Sequence, residues 1–224
     1  ILRITKKTRA VFLSVLGISW FWFFGAAFLT LLPTYARNTL GAHEHVVTFL
    51  LAVFCVGIAL GSLLCEKVSG KNLELGLVPF GSIGMTVFTL DLFLVGAPAV
   101  RPELPLALGA FLESPHALRI SFDLFAIALF GGFYTVPLYT LIQQRAEPSE
   151  RSRVVAGNNI LNALFMVVAS GMLSWLFGMH VPVPQIFLVI AALNALVAVY
   201  IYSLLPEFLL RFAAFLLSRS LYRL

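Results

Sequence analysis

Residues 10–36, AVFLSVLGISWFWFFGAAFLTLLPTYA, decide the fold class, because they form one long run without a charged side chain. A helix needs roughly 20 apolar residues to cross a hydrocarbon core about 30 Å thick. Five further apolar runs follow, near Val46–Cys65, Leu75–Ala97, Ile120–Gln143, Val154–Phe177 and Gln185–Leu205. The sequence therefore predicts an all-α integral membrane protein, built as a bundle of six transmembrane helices.

The composition excludes a water-soluble domain. Hydrophobic residues make up 60% of the chain and charged residues 11%, with a mean hydropathy of +0.98. Soluble domains are roughly 45–50% apolar and about 25% charged. The net charge of +5 does not indicate nucleic-acid binding, because the basic residues stand at the ends of the apolar runs. The partner that this pattern predicts is the lipid bilayer.

The basic residues also predict how the chain lies in the membrane. If the N-terminus faces the cytoplasm, every Lys and Arg except Arg37, Arg101 and Arg119 falls in an inside segment. Short cytoplasmic loops of multi-pass proteins carry such an excess of Lys and Arg. We therefore expect both termini on the cytoplasmic side.

The histidines and cysteines are not positioned to form a metal site or a disulfide. All four histidines fall in or beside predicted outer loops: His43, His45, His116 and His180. The sequence His43-Glu44-His45 would hold a metal only weakly without further ligands, so we predict neither a metal site nor a cofactor. Cys55 and Cys65 lie roughly 15 Å apart along one predicted helix, which is too far for a disulfide.

The first and fourth runs share a Gly/Pro pattern that the other runs lack. Gly25, Thr30, Pro33 and Tyr35 of the first run correspond to Gly131, Thr135, Pro137 and Tyr139 of the fourth. Transporter halves are often two three-helix repeats of inverted topology, in which matched Gly/Pro-interrupted helices mark the substrate path. The pattern thus predicts helix breaks at Gly25, Pro33, Gly131, Gly132 and Pro137. Gly and Pro are also frequent in membrane helices generally, which is the alternative explanation.

The second run contains Gly57 and Gly61 at the small-xxx-small spacing. Small residues at this spacing let two helix backbones approach closely in a bilayer, where lipid supplies no hydrophobic drive for association. We predict a helix-packing surface there.

The segment that follows, Gly61-Ser-Leu-Leu-Cys65-Glu66-Lys67-Val-Ser-Gly70-Lys71, resembles the gating loop of the major facilitator superfamily. In that loop a Gly, an acid, basic residues and a second Gly link neighbouring helices, and the charges hold one of two conformational states. Cys65 stands about where the family usually has Asp, so Glu66 would supply the acid. An ordinary turn with positive-inside charges explains Lys67 and Lys71 equally well.

A second cytoplasmic loop, with Arg145, Arg151 and Arg153, resembles the loop before the eleventh helix of the same superfamily. More narrowly, Leu75–Pro79, Gln143–Arg145 and Asn158–Ala163 resemble the C-terminal half of bacterial lysophospholipid transporters, including forms fused to acyltransferase and acyl-carrier-protein synthetase domains. The resemblance covers most of residues 9–205. It implies helices seven to twelve of a twelve-helix carrier, which moves lysophospholipid, chiefly lysophosphatidylethanolamine, inward across the bacterial inner membrane. The partner implied is a missing N-terminal six-helix half.

The spans have no Lys or Arg near their centres, so the candidates for a substrate cavity are uncharged. They are Trp20, Thr30, Tyr35, Tyr134, Tyr139, Asn158, Asn159 and Asn162. Aromatic walls with amide donors and acceptors suit an amphiphile that has a zwitterionic head and one acyl chain. Buried asparagines also join helices without binding substrate. For the charged residues, the i, i+4 spacing of Arg119 and Asp123 predicts an ion pair at the outer end of the fourth span.

The sequence predicts three segments: a basic cytoplasmic lead-in at 1–9, the six-helix bundle at 10–205 and an amphipathic interfacial helix at 206–224. The resemblance implies that a cytoplasmic acyltransferase domain follows the last segment. No catalytic constellation occurs within the chain itself, so we do not expect an enzyme. A membrane anchor for a cytoplasmic lipid enzyme and a carrier for another amphiphilic or apolar solute stay open as alternatives.

Overall fold

A computed structural model describes residues 9–69, 74–96 and 105–204, with single positions at 210 and 213. Its helices are α1 (Arg9–Thr34), α2 (Glu44–Val68), α3 (Leu77–Val95), α4 (Leu108–Leu112), α5 (Ala117–Arg145), α6 (Arg151–Gly178) and α7 (Val183–Leu204). All except the short α4 are long and apolar enough to cross a membrane. The prediction of six spans is confirmed, and the predicted ends that fall on described residues lie within one helical turn of the observed ends. The chain is a multi-pass membrane protein.

Some predicted features lie outside the described residues. These are Gly70 and Lys71 of the gating loop, almost all of the interfacial helix at 206–224, and the lead-in before Arg9.

Helix α5 occupies the centre of the bundle and packs against α1, α2 and α3. Helix α1 packs mainly against α6, and α7 packs mainly against α3. The second helix of each half, α2 or α6, therefore lies against the first helix of the other half, α5 or α1. The two halves therefore exchange contacts in a symmetric way, and the repeat itself stays a prediction.

The contact between α2 and α5 depends on glycines. A Cβ atom on Gly57 would lie 2.5 Å from the carbonyl oxygen of Phe125, and one on Gly61 would overlap the backbone of Leu129. From the other side, a Cβ atom on Gly132 would lie 2.5 Å from the backbone nitrogen of Ser62. The packing role predicted for Gly57 and Gly61 is confirmed.

Neither α1 nor α5 is interrupted at the predicted break positions. Helix α1 continues through Gly25 and Pro33, and α5 continues through Pro137. A proline removes one backbone hydrogen bond, which a membrane helix tolerates when the surrounding turns remain intact. The glycines of α5 provide room instead, since Gly131 lies under the ring of Phe21 and Gly132 lies against α2.

Directly after α1, residues Tyr35–Thr39 form a π-helical turn. Such turns are rare and often occur at functional positions. Next to this turn, stacked rings fill the core between α1, α2 and α7. The ring of Phe28 lies 5.9 Å from that of Phe54 and 5.5 Å from that of Phe187. This aromatic packing holds the end of α1 rigidly against its neighbours.

Candidate functional site

A polar network joins α1, α5 and α6. The side-chain oxygen of Asn162 accepts hydrogen bonds from Nε1 of Trp22 and Nδ2 of Asn158, each at 3.1 Å, and its nitrogen lies 2.9 Å from Oγ of Ser19. The indole N–H of Trp22 also points to the hydroxyl of Tyr139 at 3.1 Å. We call Ser19, Trp22, Tyr139, Asn158 and Asn162 the amide network.

The amide network runs from the inside of the bundle to its surface. Asn158 and Asn162 are 1% and 5% exposed, whereas Trp22 is 40% exposed and Tyr139 is half-buried. Oδ1 of Asn158 is buried and has no hydrogen-bond partner within the described part of the chain. Buried acceptors are nearly always satisfied in folded proteins. This oxygen therefore remains available to a donor from outside the described residues.

Three predicted cavity residues lie in the core instead, and their polar atoms join helices. The hydroxyl of Tyr134 donates to the carbonyl of Gly17 at 3.2 Å, and that of Tyr35 donates to the carbonyl of Gly96 at 3.1 Å. Trp20 is 7% exposed and donates its indole N–H to Asn194. These bonds fix α1 against α5, α3 and α7.

The two remaining predicted cavity residues, Thr30 and Asn159, are exposed. Thr30 donates its hydroxyl to the carbonyl of Ala26 in the preceding turn, which is a local bond within α1. Asn159 is exposed on α6 beside the buried Asn158. Of the eight predicted cavity residues, the structure brings together Tyr139, Asn158 and Asn162.

Sequence reasoning missed two members of the amide network, Ser19 and Trp22. Their spacing of three residues places them on one face of α1, just as Asn158 and Asn162 share a face of α6. A polar pair on one face of α1 matching a polar pair on one face of α6 is the signal in the sequence that could have identified them. The sequence does not favour Trp22 over Trp20, because α1 is apolar all round and nothing in its sequence shows which face is buried.

The predicted pair of Arg119 with Asp123 is wrong, since Arg119 binds Asp91 on the neighbouring helix. Its Nε donates to Oδ2 of Asp91 at 2.9 Å and its Nη2 donates to Oδ1 at 2.5 Å. Helices α3 and α5 pack along their length, so a carboxylate on α3 can meet both arms of the guanidinium fork. A bidentate pair of this kind is stronger than a single contact.

Most residues of the proposed gating loops are placed where the sequence suggests. Glu66 and Lys67 are exposed in the last turn of α2, and Gly61 is buried against α5. Arg145 ends α5, while Arg151 and Arg153 are exposed in the first turn of α6. Their gating role stays a prediction.

The described residues contain no group of three or more His, Cys, Asp or Glu side chains that would hold a metal ion. The rings of His43 and His45 lie 4.9 Å apart, while Glu44 between them binds Arg37 at 3.0 Å. Glu44 is therefore already paired.

Known proteins that are similar to the chain in sequence include two bacterial transporters. The lysophospholipid transporters LplT of Klebsiella pneumoniae subsp. pneumoniae and of Klebsiella pneumoniae strain 342 are each 28% identical to the chain over 172 residues, 75% of it. The chain is similar to lysophospholipid transporters. It spans 38% of the length of each of these relatives. No protein-family model matches the chain, and no solved structure matches it.

Proposed function

We propose that this chain forms the C-terminal six-helix half of a lysophospholipid carrier of the major facilitator superfamily. The carrier would move lysophosphatidylethanolamine inward across the bacterial inner membrane, with both termini of this half in the cytoplasm. The similarity to named lysophospholipid transporters over 75% of the chain supports the substrate class. The span of 38% of their length agrees with one half of a twelve-helix protein.

The observation that carries the proposal is the amide network with its unpaired acceptor. A lysophospholipid head of the ethanolamine type has an ammonium donor and phosphate acceptors. Oδ1 of Asn158 would accept from the ammonium, and the indole N–H of Trp22 would donate to a phosphate oxygen in place of its bonds to Asn162 and Tyr139. Both contacts are uncharged on the protein side, which suits a zwitterion with no net charge.

The second half of the carrier would cover α6. This helix is the least buried of the six spans. Its exposed apolar side chains include Val155, Ile160, Leu164, Val167, Val168 and Trp175. Because the amide network opens beside α6, a second bundle against this helix would enclose the network in a central cavity.

Transport would follow from alternating access, in which this bundle rocks against the N-terminal bundle about the amide network. Lysophospholipid delivered to the inner leaflet would then be re-acylated by a cytoplasmic acyltransferase, which is the proposed downstream partner. In this account the carrier half itself has no enzymatic role.

The test is uptake of labelled lysophosphatidylethanolamine into proteoliposomes that contain the full-length protein. Trp22→Phe keeps the ring but removes the N–H donor of the network, so we expect uptake to fall about tenfold, which corresponds to about 1.4 kcal/mol. Tyr200→Phe is the matched control, since Tyr200 is 59% exposed on α7, outside both the amide network and the covered face of α6, and it should transport normally. Equal uptake by wild type and Trp22→Phe would remove the network from the substrate path. No uptake by a folded wild-type protein would favour a membrane anchor.

A further inference from the structure

The carboxyl group of Asp123 has an unusual position for an acid. It projects from the second turn of α5 and is 1% exposed. Its Oδ2 atom finds no hydrogen-bond partner among the residues that the structure describes. An ionised carboxylate without a partner is costly to bury, and more so within a membrane span.

The groups around Asp123 explain why its Oδ2 atom is left without a donor. Arg119, one turn earlier on α5, is engaged by Asp91 of α3 through two hydrogen bonds. The carboxyl group of Asp91 in turn lies within hydrogen-bonding reach of that of Asp123. Tyr35, in the π-helical turn after α1, interacts electrostatically with Asp123, but its hydroxyl donates to Gly96.

Helix α2 also packs against α5 and carries two titratable residues at the same end of the bundle. Glu44 and His45 are both exposed in its first turn, and Glu44 is paired with Arg37. Glu113 and His116, between α4 and α5, are exposed as well. The contact around Asp123 therefore has one guanidinium, that of Arg119, for two carboxyl groups. Two carboxylates that share one site do not both ionise readily.

We propose that Asp123 binds a proton, and that Asp91, Arg119 and Asp123 form a proton-operated contact between α3 and α5. With the proton bound, the Asp123 carboxyl donates to the Asp91 carboxylate, and the Arg119 fork stays on Asp91. When the proton leaves to water, ionised Asp123 competes for Arg119 at the i, i+4 spacing on its own helix. The bond from α5 to α3 then weakens, and these ends of the two helices separate.

Infrared difference spectroscopy of the full-length protein in lipid nanodiscs tests the bound proton directly. At neutral pH we expect a carbonyl-stretch band of a protonated carboxylic acid, which Asp123→Asn removes completely. Asp91→Asn should also remove the band, because it frees Arg119 to pair with Asp123. Asp123→Glu should retain a shifted band. Identical neutral-pH spectra for wild type and Asp123→Asn would overturn the proposal.

The predicted separation of α3 from α5 is tested by measuring the distance between the two helices, which does not require transport. Leu94 and Leu118 are 64% and 83% exposed, so Leu94→Cys and Leu118→Cys accept spin labels once the native cysteines of the full-length protein, including Cys55 and Cys65, are replaced. We expect this distance to lengthen at alkaline pH, and to be independent of pH in the Asp123→Asn background. A distance that does not change with pH, or that shifts equally in both proteins, would contradict the proposal. Neither experiment depends on the substrate.

Discussion

Trp20 of α1 donates its indole N–H to Oδ1 of Asn194 of α7 across 2.8 Å in the interior of the bundle. The Nδ2 atom of the same amide donates to the carbonyl of Ser82 at 3.1 Å and to the hydroxyl of Thr86 at 2.9 Å, both on α3. One amide therefore joins three helices. In a bilayer, where lipid is as apolar as leucine, such interhelical bonds help to specify how the helices pack.

Asn194→Leu should destabilise the bundle by about 2 kcal/mol. Three interhelical hydrogen bonds are lost, each worth about 0.6 kcal/mol in membrane proteins, and the indole N–H of Trp20 is left without its acceptor. Unfolding in a denaturing detergent measures the difference. Asn159→Leu is the matched control, because Asn159 is exposed and its replacement should have little effect. Equal stability of the two variants would show that the Asn194 bonds contribute nothing.

Gly61→Ala should separate α2 from α5. The added Cβ would overlap the backbone of Leu129, and overpacking of this kind typically costs about 1–3 kcal/mol. The same unfolding measurement applies. Gly171→Ala serves as the control, since a Cβ there meets nothing within 4 Å. If both variants match wild type, the close approach of α2 and α5 is not required.

The orientation of the chain can be tested with a membrane-impermeant thiol reagent. In a background without Cys55 and Cys65, Ser149→Cys should react only from the cytoplasmic side, because it lies in the loop between α5 and α6. His180→Cys, in the loop between α6 and α7, should react only from the outside. The reverse pattern in intact cells and inverted vesicles would contradict the orientation.

The six spans could be predicted from sequence because span length is a local property. Each needs only an apolar run of sufficient length bounded by charges or by Pro and Gly. The glycine contacts of α2 could also be predicted, since the spacing of Gly57 and Gly61 places two small residues on one helix face and lets another backbone approach closely.

The partners of the polar residues could not be predicted in the same way. Arg119 has an i, i+4 neighbour in Asp123, but α3 brings Asp91 into a better position, and helix pairing is not visible in one sequence. Asn194 stands alone in an apolar run and has no local partner that would single it out. The side chains of Trp20 and Trp22 separate into core and surface only once α1 is packed against α6 and α7.

The most direct test of the proposed carrier is uptake of labelled lysophosphatidylethanolamine by the full-length protein carrying Asn158→Leu together with Asn162→Leu. Asn194→Leu is the control, because it removes a buried amide outside the amide network. We expect saturable uptake by wild type, reduced but measurable uptake by Asn194→Leu, and loss of uptake by the double variant with membrane insertion intact. Uptake by the double variant at the wild-type rate would contradict the assignment of the amide network as the substrate site.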